Sequence, residues 1–512
     1  MSDWTDGYIP GVDYVFGYYG ELSPLRLAIP FLNVGLAPPP VATACELGYG
    51  QGLSINAHAA ASDARWWGTD FNPAHAAFAR ELAEAAGSDA QLFDQSFAEF
   101  ATRADLPEFD YIGLHGVWSW ISDENRRVIV DFIGRKLKPG GVLYISYNTQ
   151  PGHAATLPFR HLLHLHTERM QAPGRGVPPR IDAALDFADT LMALGPGFAN
   201  ANPSIAARLK GMREQSRQYL AHEYFNQHWV ASLFAEVAES LSAAKLSFAC
   251  SAHFLDHIDA LNMTPDLQRF LAGLPDPEFR QSVRDFIVNQ QFRRDYWVKG
   301  ARRLSPLEQA EAIRGLRVIV PAASHGEIAL TASGPLGAIG LNPEIYQPVL
   351  DAIGEFEPAT VGEIEARLQG RNMSLSTLYE AVMVLGGKGD LMAAQDAATQ
   401  ERVRPRTERH NRFLLDKARG GGDLPILASP VTGTGIRVSR ANQLFLLAQT
   451  QGRSNPDDLA RAAWQVIGAQ GRGLVKDGRR LETAEENLDE LERQAREFRD
   501  RLLPGLRALQ VA

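Results

Sequence analysis

A glycine-rich turn near the N-terminus carries the residues whose types and spacing suggest chemistry. Gly48, Gly50 and Gly52 alternate with other residues, Glu46 lies two positions before the first glycine, and Asp70 follows the next apolar segment. Glycines let backbone N–H groups approach a ligand closely because no Cβ intervenes, and a carboxylate after the second strand of such a fold can accept both hydroxyls of a ribose. The spacing GxGxG differs from the GxGxxG of dinucleotide enzymes. The acidic residue ahead of the glycines suits a ligand with a cationic amino-acid tail and no pyrophosphate, so the pattern predicts S-adenosylmethionine as the cofactor.

The segments around this turn predict a parallel sheet. Residues 41–45 are small and apolar enough for a buried strand, 53–61 are rich in alanine and favour a helix, and 65–69 fit a second strand that ends at Asp70. Strands that alternate with helices indicate an α/β fold in which helices cover both faces of the sheet. The further predicted elements are helices at 73–86 and 123–136 and strands at 90–93, 109–115 and 142–147.

Beyond position 150 the pattern becomes mainly helical. Residues 151–222 are too long for a loop and predict a helical insertion. Residues 223–244 predict one continuous helix, and 245–251 predict a strand. A further helical stretch leads to 316–320, which is the predicted last strand of the sheet.

The C-terminal part predicts smaller modules. Residues 342–392 have the order helix, short helix, helix and hairpin of a winged helix, and 397–422 are charged, end in glycines and predict a linker. The heptad-like seam at 481–502 favours packing against its own domain over a coiled coil. The predicted domains are a Rossmann-like cofactor-binding core with an N-terminal aromatic segment (1–150), a helical insertion suited to dimerisation (151–222), a regulatory-type region that completes the sheet (223–325), a winged-helix-like module (340–395) and a C-terminal α-rich domain (424–512).

Composition narrows the classes of partner. The 512 residues include 51 basic and 60 acidic side chains, a net charge of −9, which argues against nucleic acid as the main partner. The winged-helix-like segment is itself acidic, the opposite of a domain that binds DNA. Cys45 and Cys250 lie in apolar runs and predict buried free thiols in a reducing compartment. With no visible signal peptide and no apolar run of about 20 residues, the sequence predicts a cytoplasmic protein without membrane insertion.

Several motifs together resemble one bacterial family. That family comprises the class I methyltransferases that carry a methyltransferase regulatory domain, and its best-known members are the rickettsial-type protein lysine methyltransferases that modify outer membrane proteins. The resemblance covers about 14–321. The motifs are FGYYGELSP at 16–24, ELGYGQG at 46–52, HGVWSW at 115–120 and YNTQPG at 147–152, followed in the regulatory region by HEYFN at 222–226, KLSFACSA at 245–252 and FRRD at 292–295.

The resemblance implies S-adenosylmethionine as cofactor and a homodimer. It also implies a wide cavity, shared by several domains, for a polypeptide substrate. Many class I enzymes place Asp-Ala or Asp-Val after the third strand to hold adenine. Here Asp94 is followed by Gln, Ser96 and Phe97, so backbone groups of Ser96 or Phe97 and the Phe97 ring are expected to take that role. The predicted cofactor-binding residues are Glu46, Gly48, Tyr49, Gly50, Gly52, Asp70, Phe71, Ser96, Phe97 and His115.

The predicted catalytic residues are Tyr18, Tyr19, Trp118 and Asn148. Trp118 follows the fourth strand and Asn148 ends the fifth, at the sheet edge where ligands bind in open α/β folds. An N-terminal segment folded over the cofactor would bring Tyr18 or Tyr19 to the reacting methyl group. Aromatic faces attract cationic sulfonium and ammonium groups. The alternative for these tyrosines and for both tryptophans, Trp118 and Trp120, is packing in the core.

A metal site is not expected. His161, His164 and His166 lie close together in the sequence, but no cysteine or nearby acidic residue completes a ligand set.

Three functions remain open from the sequence. The first is a protein lysine N-methyltransferase acting on a bacterial surface or outer membrane protein, which the multiple accessory domains favour. The second is a methyltransferase for a metabolite or natural-product intermediate, with the insertions as a lid. The third is a non-catalytic binding protein, against which the intact Glu46, glycines and Asp70 argue.

Overall fold

A seven-stranded sheet forms the centre of the molecule. The computed structural model describes residue 7 and residues 16–172, 174–321, 328–421, 424–476 and 478–512. The strands of this sheet are β1 (Thr43–Leu47), β2 (Arg65–Thr69), β3 (Gln91–Phe93), β4 (Phe109–Leu114), β5 (Leu137–Asn148), β6 (Ser247–Ser251) and β7 (Phe292–Val298). Their order is β3-β2-β1-β4-β5-β7-β6; β1 to β5 are parallel, and β7 is antiparallel to both of its neighbours. The predicted α/β fold with a Rossmann-like sheet is confirmed.

Local signals at the helix ends explain why the first elements form where the sequence predicts them. Asn72 caps one helix through a bond from the Ala74 N–H, Pro73 occupies its first position, and Gly87 ends it in the left-handed conformation. Ser122 caps the helix Asp123–Lys136 by accepting a hydrogen bond from the Asn125 N–H. The helices up to position 136 are α1 (Ala28–Asn33), α2 (Leu53–Ala61), α3 (Pro73–Ala86), α4 (Phe97–Ala101) and α5 (Asp123–Lys136).

The last strand of the sheet differs from the prediction. The predicted strand at 316–320 belongs to another sheet, and β7 takes its place, in a segment whose sequence predicts a helix. The sequence FRRD hides this strand because its polar residues are buried in pairs: Arg293 Nε donates to Asp295 Oδ2 at 2.8 Å, and Tyr147 donates to the same oxygen at 2.8 Å. The sheet is therefore complete at Val298.

The helical insertion has a small core of its own. Its last helix ends at Phe225 and the next begins at Phe234, so the single helix predicted for 223–244 is wrong. Arg160 explains the break, because its guanidinium donates to the carbonyls of Glu223 and Asn226 at the end of the first helix. The insertion contains α6 (Gln150–His153), α7 (Thr156–Arg169), α8 (Val177–Ala193), α9 (Gly197–Ala201), α10 (Ser204–Glu214) and α11 (Arg217–Phe225).

The region around β6 and β7 contributes five more helices. They are α12 (Phe234–Ser242), α13 (Asp259–Asn262), α14 (Pro265–Ala272), α15 (Pro277–Val288) and α16 (Pro306–Gly315).

Short strands and three helices follow this region. A three-stranded antiparallel sheet has the order β11-β8-β12, and β9 pairs with β10. The helices have the order predicted for the winged-helix-like module, whose assignment stays a prediction, but the expected hairpin after the third helix is absent from the described residues because β12 pairs with β8. The elements are β8 (Arg317–Ile319), β9 (Thr331–Gly334), β10 (Gly337–Gly340), α17 (Pro343–Ile353), β11 (Ala359–Thr360), α18 (Val361–Arg367), α19 (Leu375–Lys388) and β12 (Met392–Ala393).

The predicted linker is a long helix, α20 (Ala397–Lys417), which packs against α2 and α3. Buried residues at 403, 407, 410, 411 and 414 recur at helical spacing, but three of them are polar and weaken the apolar pattern in the sequence.

The C-terminal domain is mainly helical, and α23 (Ala484–Glu497), which carries most of the seam, packs against α22 (Pro456–Ala469) of its own domain, as predicted. None of the helices in the described ranges is long and apolar enough to cross a membrane. The elements are β13 (Ile426–Ser429), β14 (Thr434–Arg437), α21 (Arg440–Thr450), α22 (Pro456–Ala469), β15 (Val475–Lys476), β16 (Arg479–Arg480), α23 (Ala484–Glu497) and α24 (Leu503–Ala508).

Candidate active site

A cavity of about 1270 Å³, including its open mouth, lies at the carboxyl ends of β1, β2 and β4. This is the edge of an open α/β sheet at which ligands bind. Nine of the ten predicted cofactor residues line it, and Gly52 does not. The nine are Glu46, Gly48, Tyr49, Gly50, Asp70, Phe71, Ser96, Phe97 and His115.

The glycine turn that connects β1 to α2 is built for close approach. Gly48 has φ +72°, and a Cβ on it would lie 2.6 Å from Val117 Cγ2. Gly52 has φ +76°, and a Cβ there would lie 2.5 Å from the Cβ of Ala79 on α3. Both positions therefore require glycine, but Gly52 serves the packing of the turn against α3, which is why it is not on the cavity wall.

Asp70 is held in place at the end of β2. Its Oδ2 accepts from the Gly50 N–H at 2.9 Å, and its Oδ1 accepts from the Asn72 N–H at 3.0 Å and lies 3.2 Å from His75 Nδ1. These bonds tie the carboxylate to the glycine turn, so the two parts of the predicted site keep a fixed relation.

Glu46 is a buried carboxyl group in the cavity wall. Its side chain is 3% exposed, and Oε2 has no hydrogen-bond partner among the described residues. Burial, and to a lesser degree the neighbouring Asp70 charge, raises the pKa of Glu46 to about 8. A buried acceptor without a partner is costly, and a cationic group in the cavity would satisfy it.

Tyr19 and His115 form an aromatic wall. Their rings stack with centroids 4.0 Å apart, and His115 Nδ1 lies 2.7 Å from the Tyr144 hydroxyl. Burial lowers the pKa of His115 to about 4, so the ring is neutral at physiological pH. Tyr19 is the predicted catalytic residue that the structure brings to the cavity.

The segment after β3 forms another part of the wall. Ser96 caps α4 by accepting from the Glu99 N–H, and Glu99 returns a bond to the Ser96 N–H. This reciprocal pair fixes the chain beside the cavity, where Gln95, Ser96 and Phe97 lie.

Three predicted catalytic residues lie away from the cavity wall. Tyr18 points to the C-terminal domain, where its hydroxyl bonds to Thr434 and accepts from the Gly435 N–H. Trp118 is 2% exposed in the core beneath α5. Asn148 is buried between neighbouring segments, its N–H donating to Ser119 Oγ and its carbonyl accepting from the Ser232 N–H. The expectation that these three contact the reacting groups is corrected accordingly.

The cavity also contains residues that sequence analysis did not select. The sequence leaves open whether Trp120 packs in the core or belongs to the site, and the structure places it on the cavity wall. His222, Glu223 and Asn226, at the end of α11, lie on the wall as well. The HEYFN motif was the available signal for these three, but a single predicted helix over 223–244 gave no reason for the chain to turn at Asn226 towards the sheet.

Two family models match the chain. One is described as a methyltransferase domain and matches residues 44–141, and the other is described as a predicted methyltransferase regulatory domain and matches residues 216–299. The cyanobacterial protein sll1526 of Synechocystis, whose name calls it uncharacterized, is 40% identical over 99% of this chain and 100% of its own length. The chain belongs to the class I methyltransferases with a methyltransferase regulatory domain.

Other similar proteins come from Rickettsia. A protein of Rickettsia prowazekii, RP028, is 33% identical over 26% of this chain and 54% of its own length. The structure of PKMT2 from Rickettsia typhi in complex with AdoHcy has a TM-score of 0.68 and 18% identity, and the match covers 95% of this chain and 99% of PKMT2. At that identity the likeness establishes a shared fold over nearly the whole chain.

The methyltransferase therefore uses S-adenosylmethionine, and the cavity fits this cofactor. The unpartnered Glu46 oxygen suits its ammonium group, and the Asp70 carboxylate after β2 suits the ribose hydroxyls. The glycine turn allows backbone approach, and Phe97 offers a ring beside the adenine position expected from the sequence.

Proposed function

We propose that this methyltransferase is a protein lysine N-methyltransferase that acts on a bacterial surface or outer membrane protein. The single observation that carries the proposal is a third carboxylate, the partly buried Glu223, in the same cavity as Glu46 and Asp70. It comes from α11, outside the cofactor-binding sheet, and belongs to the part of the chain that matches the regulatory domain. An amine acceptor requires such a group, because a lysine ammonium must lose a proton before its nitrogen can attack.

The surroundings of Glu223 suit it to accept that proton. Burial raises its pKa to about 7, although the charges of Arg160 and Arg208 oppose the shift. A base with a pKa near the working pH is the most effective, since it is ionised and still holds a proton well.

Further residues of the cavity suit an amine. Asn226 is 2% exposed, and its Oδ1 has no partner among the described residues, so this oxygen is available to an N–H of the acceptor. The rings of Tyr19 and Trp120 on the wall attract a cationic ammonium group.

These residues act in a simple order. S-adenosylmethionine supplies an electrophilic methyl group on a sulfonium. Asn226 and the aromatic wall orient the amine, Glu223 takes its proton, and the nitrogen lone pair forms the new N–CH₃ bond while the S–CH₃ bond breaks. Because the leaving group is neutral, it needs no proton from the protein, which aligns the groups, accepts the amine proton at Glu223 and excludes water.

The support for a protein as the acceptor comes from the extent of the fold. The likeness to PKMT2 extends over all domains rather than the cofactor-binding sheet alone. A small-molecule enzyme rarely needs so much additional surface.

One observation favours a small-molecule acceptor instead. Residues of α11 lie over the cavity, so the helical insertion could act as a lid over a compact substrate.

A labelling experiment separates the two functions. The wild-type protein is incubated with methyl-labelled S-adenosylmethionine and a bacterial lysate fractionated by size, with the Asp70→Ala variant as the inactive control. Label in protein that yields methyl-lysine after hydrolysis supports the proposal. Label confined to the small-molecule fraction overturns it in favour of the alternative.

A further inference from the structure

The N-terminal segment reaches the cavity through alternating residues. Gly17 and Tyr19 line the cavity, whereas Tyr18 between them does not. Tyr19 has extended backbone angles, φ −125° and ψ 95°, and neighbouring side chains of an extended chain point to opposite sides. Tyr18 must therefore have a partner on the side away from the cavity.

On that side Tyr18 contacts His58 of α2, whose Nε2 lies 3.4 Å from the Tyr18 hydroxyl, and the hairpin of β13 and β14 in the C-terminal domain. The Tyr18 hydroxyl bonds to Thr434 Oγ1 and accepts from the Gly435 N–H at 2.8 Å. The Tyr18 carbonyl accepts from the Arg437 guanidinium at 3.3 Å. Tyr18 and Thr434 are 416 residues apart in the sequence, so this contact joins the two ends of the chain.

The fit between the ring and the hairpin is close. Tyr18 is 9% exposed and packs in the core of the C-terminal domain. A Cβ on Gly435 would lie 2.7 Å from Tyr18 Cε2 and 2.6 Å from Ile426 Cγ1. Position 435 thus leaves room for the tyrosine ring only when it is glycine.

The next residue, Tyr19, is held on the cavity side by two contacts. The Tyr19 N–H donates to Ser54 Oγ on α2 at 2.9 Å, and the Tyr19 ring stacks on His115. Any shift of Tyr18 is transmitted through one peptide unit to this ring.

We propose that Tyr18 is a positioning residue: its bonds to the hairpin hold Gly17 and Tyr19 against the cofactor cavity, so that the C-terminal domain sets the shape of a site to which it contributes no wall residue among those described. The proposal concerns the cavity alone and does not depend on lysine being the acceptor.

The test uses conservative variants of the full chain. Tyr18→Phe removes only the hydroxyl, and Thr434→Val removes its side-chain partner. The matched control is Ser429→Ala in the same hairpin, which loses another buried hydroxyl, one that donates to the Leu509 carbonyl at 2.7 Å and touches neither Tyr18 nor the cavity. The wild type, these three variants and the double variant Tyr18→Phe with Thr434→Val are compared by thermal unfolding and by calorimetric titration with S-adenosylhomocysteine at a temperature at which each is fully folded.

We expect Tyr18→Phe to bind S-adenosylhomocysteine about tenfold more weakly, the size typical of one buried hydrogen bond, and Thr434→Val to lose affinity by a smaller factor, because the contacts of the hydroxyl with Gly435 and His58 remain. The double variant should bind no more weakly than Tyr18→Phe, since Thr434→Val removes a contact that Tyr18→Phe has already removed. Ser429→Ala should lose thermal stability but keep the affinity of the wild type. Because no acceptor is present, this result is independent of the proposed lysine chemistry.

If Tyr18→Phe and Thr434→Val lower only the unfolding temperature, as Ser429→Ala does, and keep full affinity, the contact is structural and the proposal is wrong. Additive losses of affinity in the double variant would also contradict it, because the two residues would then act separately.

Discussion

Glu46 and Glu223 are two carboxylates with raised pKa values on one cavity, the first buried and the second partly buried, but their expected roles differ. Glu46 precedes the glycine turn and is recognisable from the sequence. Glu223 is not, because its importance depends on where α11 ends, and that end is set by Arg160 from another helix. Tyr18 and Tyr19 show the same limit: the sequence selects both aromatic residues, but only the folded chain determines which one reaches the cavity.

Replacement of Glu46 should change how cofactor binding depends on pH. The carboxyl of the cofactor-free protein is largely protonated at about pH 7, and an ammonium group favours its ionised form. Binding of S-adenosylhomocysteine to the wild type should therefore release about one proton and tighten as the pH rises towards 8. In Glu46→Gln both effects should disappear.

Calorimetry in buffers of different ionisation enthalpy measures the released protons, and Glu84→Gln, an exposed change on α3, is the control. Because the pKa of Glu46 is raised, the folded protein holds a proton between about pH 4.5 and 8 that the unfolded chain does not hold in this range. The stability of the cofactor-free protein should therefore fall as the pH rises through this range. A wild type that releases no proton would contradict the role given to Glu46.

Replacement of Glu223 should affect turnover rather than cofactor affinity. With a pKa of about 7, the wild-type rate should rise as the pH passes 7 and Glu223 becomes ionised. In Glu223→Gln the rate should fall by about 10²–10⁴, the usual contribution of a general base, and its rise should move to the alkaline range where lysine itself loses its proton.

The turnover of both proteins is measured by steady-state kinetics across the pH range. Their affinity for S-adenosylhomocysteine is measured by calorimetry. Equal loss of rate and affinity would instead place Glu223 among the cofactor ligands. An unchanged pH profile would exclude it as the base.

At the scale of elements, the accuracy of sequence prediction follows the clarity of local signals. The helices at Leu53–Ala61, Pro73–Ala86 and Asp123–Lys136 are confirmed, since caps, prolines and glycines mark them. Strand β7 and helix α20 are missed because polar residues occupy their buried positions: a paired Arg293 and Asp295 in one, and Thr407, His410 and Asn411 in the other. Partners from other segments satisfy some of these groups, namely Tyr147 and Asp285 for the pair in β7 and the Ala428 backbone for Asn411, and no local pattern reveals them.

The packing of α20 gives a stability prediction. Leu414 is fully buried against the C-terminal core, so Leu414→Ala should lower the free energy of unfolding by about 2–5 kcal/mol. Glu408→Ala on the exposed face of the same helix should change it by less than about 0.5 kcal/mol. Urea unfolding measures the free energy of unfolding of both variants. Similar losses in the two variants would mean that α20 does not stabilise the core and behaves as a linker.

At the scale of the whole molecule, the sheet and the helical insertion line one cavity: the sheet contributes the residues expected to bind the cofactor, and the insertion contributes Glu223. The C-terminal domain contacts the N-terminal segment at Tyr18. The sequence also predicts that two copies of the chain form a homodimer. Its interface is expected in 151–219 or at the C-terminal seam, and the structure favours the former, because the seam is largely buried in its own domain while Met170 and Leu194 of the insertion are 70% and 79% exposed.

Light scattering at micromolar concentration should give twice the mass of 56.2 kDa for the wild type. The double variant Met170→Glu with Leu194→Glu should shift the protein towards the monomer, since burying unpaired charges in an apolar interface is costly. A monomeric wild type would remove the expectation of a dimer.

S-adenosylmethionine is expected to bind at the glycine turn between β1 and α2, with Asp70 beside it. The decisive measurement is calorimetric titration of S-adenosylhomocysteine into three folded proteins: the wild type, Asp70→Ala, and Asp89→Ala. Asp89 is a matched control because it is an exposed aspartate that precedes β3, at the end of that strand opposite the cavity. Charge-assisted hydrogen bonds contribute about 1.5–3 kcal/mol each, so Asp70→Ala should weaken binding by about tenfold or more while Asp89→Ala binds like the wild type. Wild-type affinity in a folded Asp70→Ala protein would contradict the account.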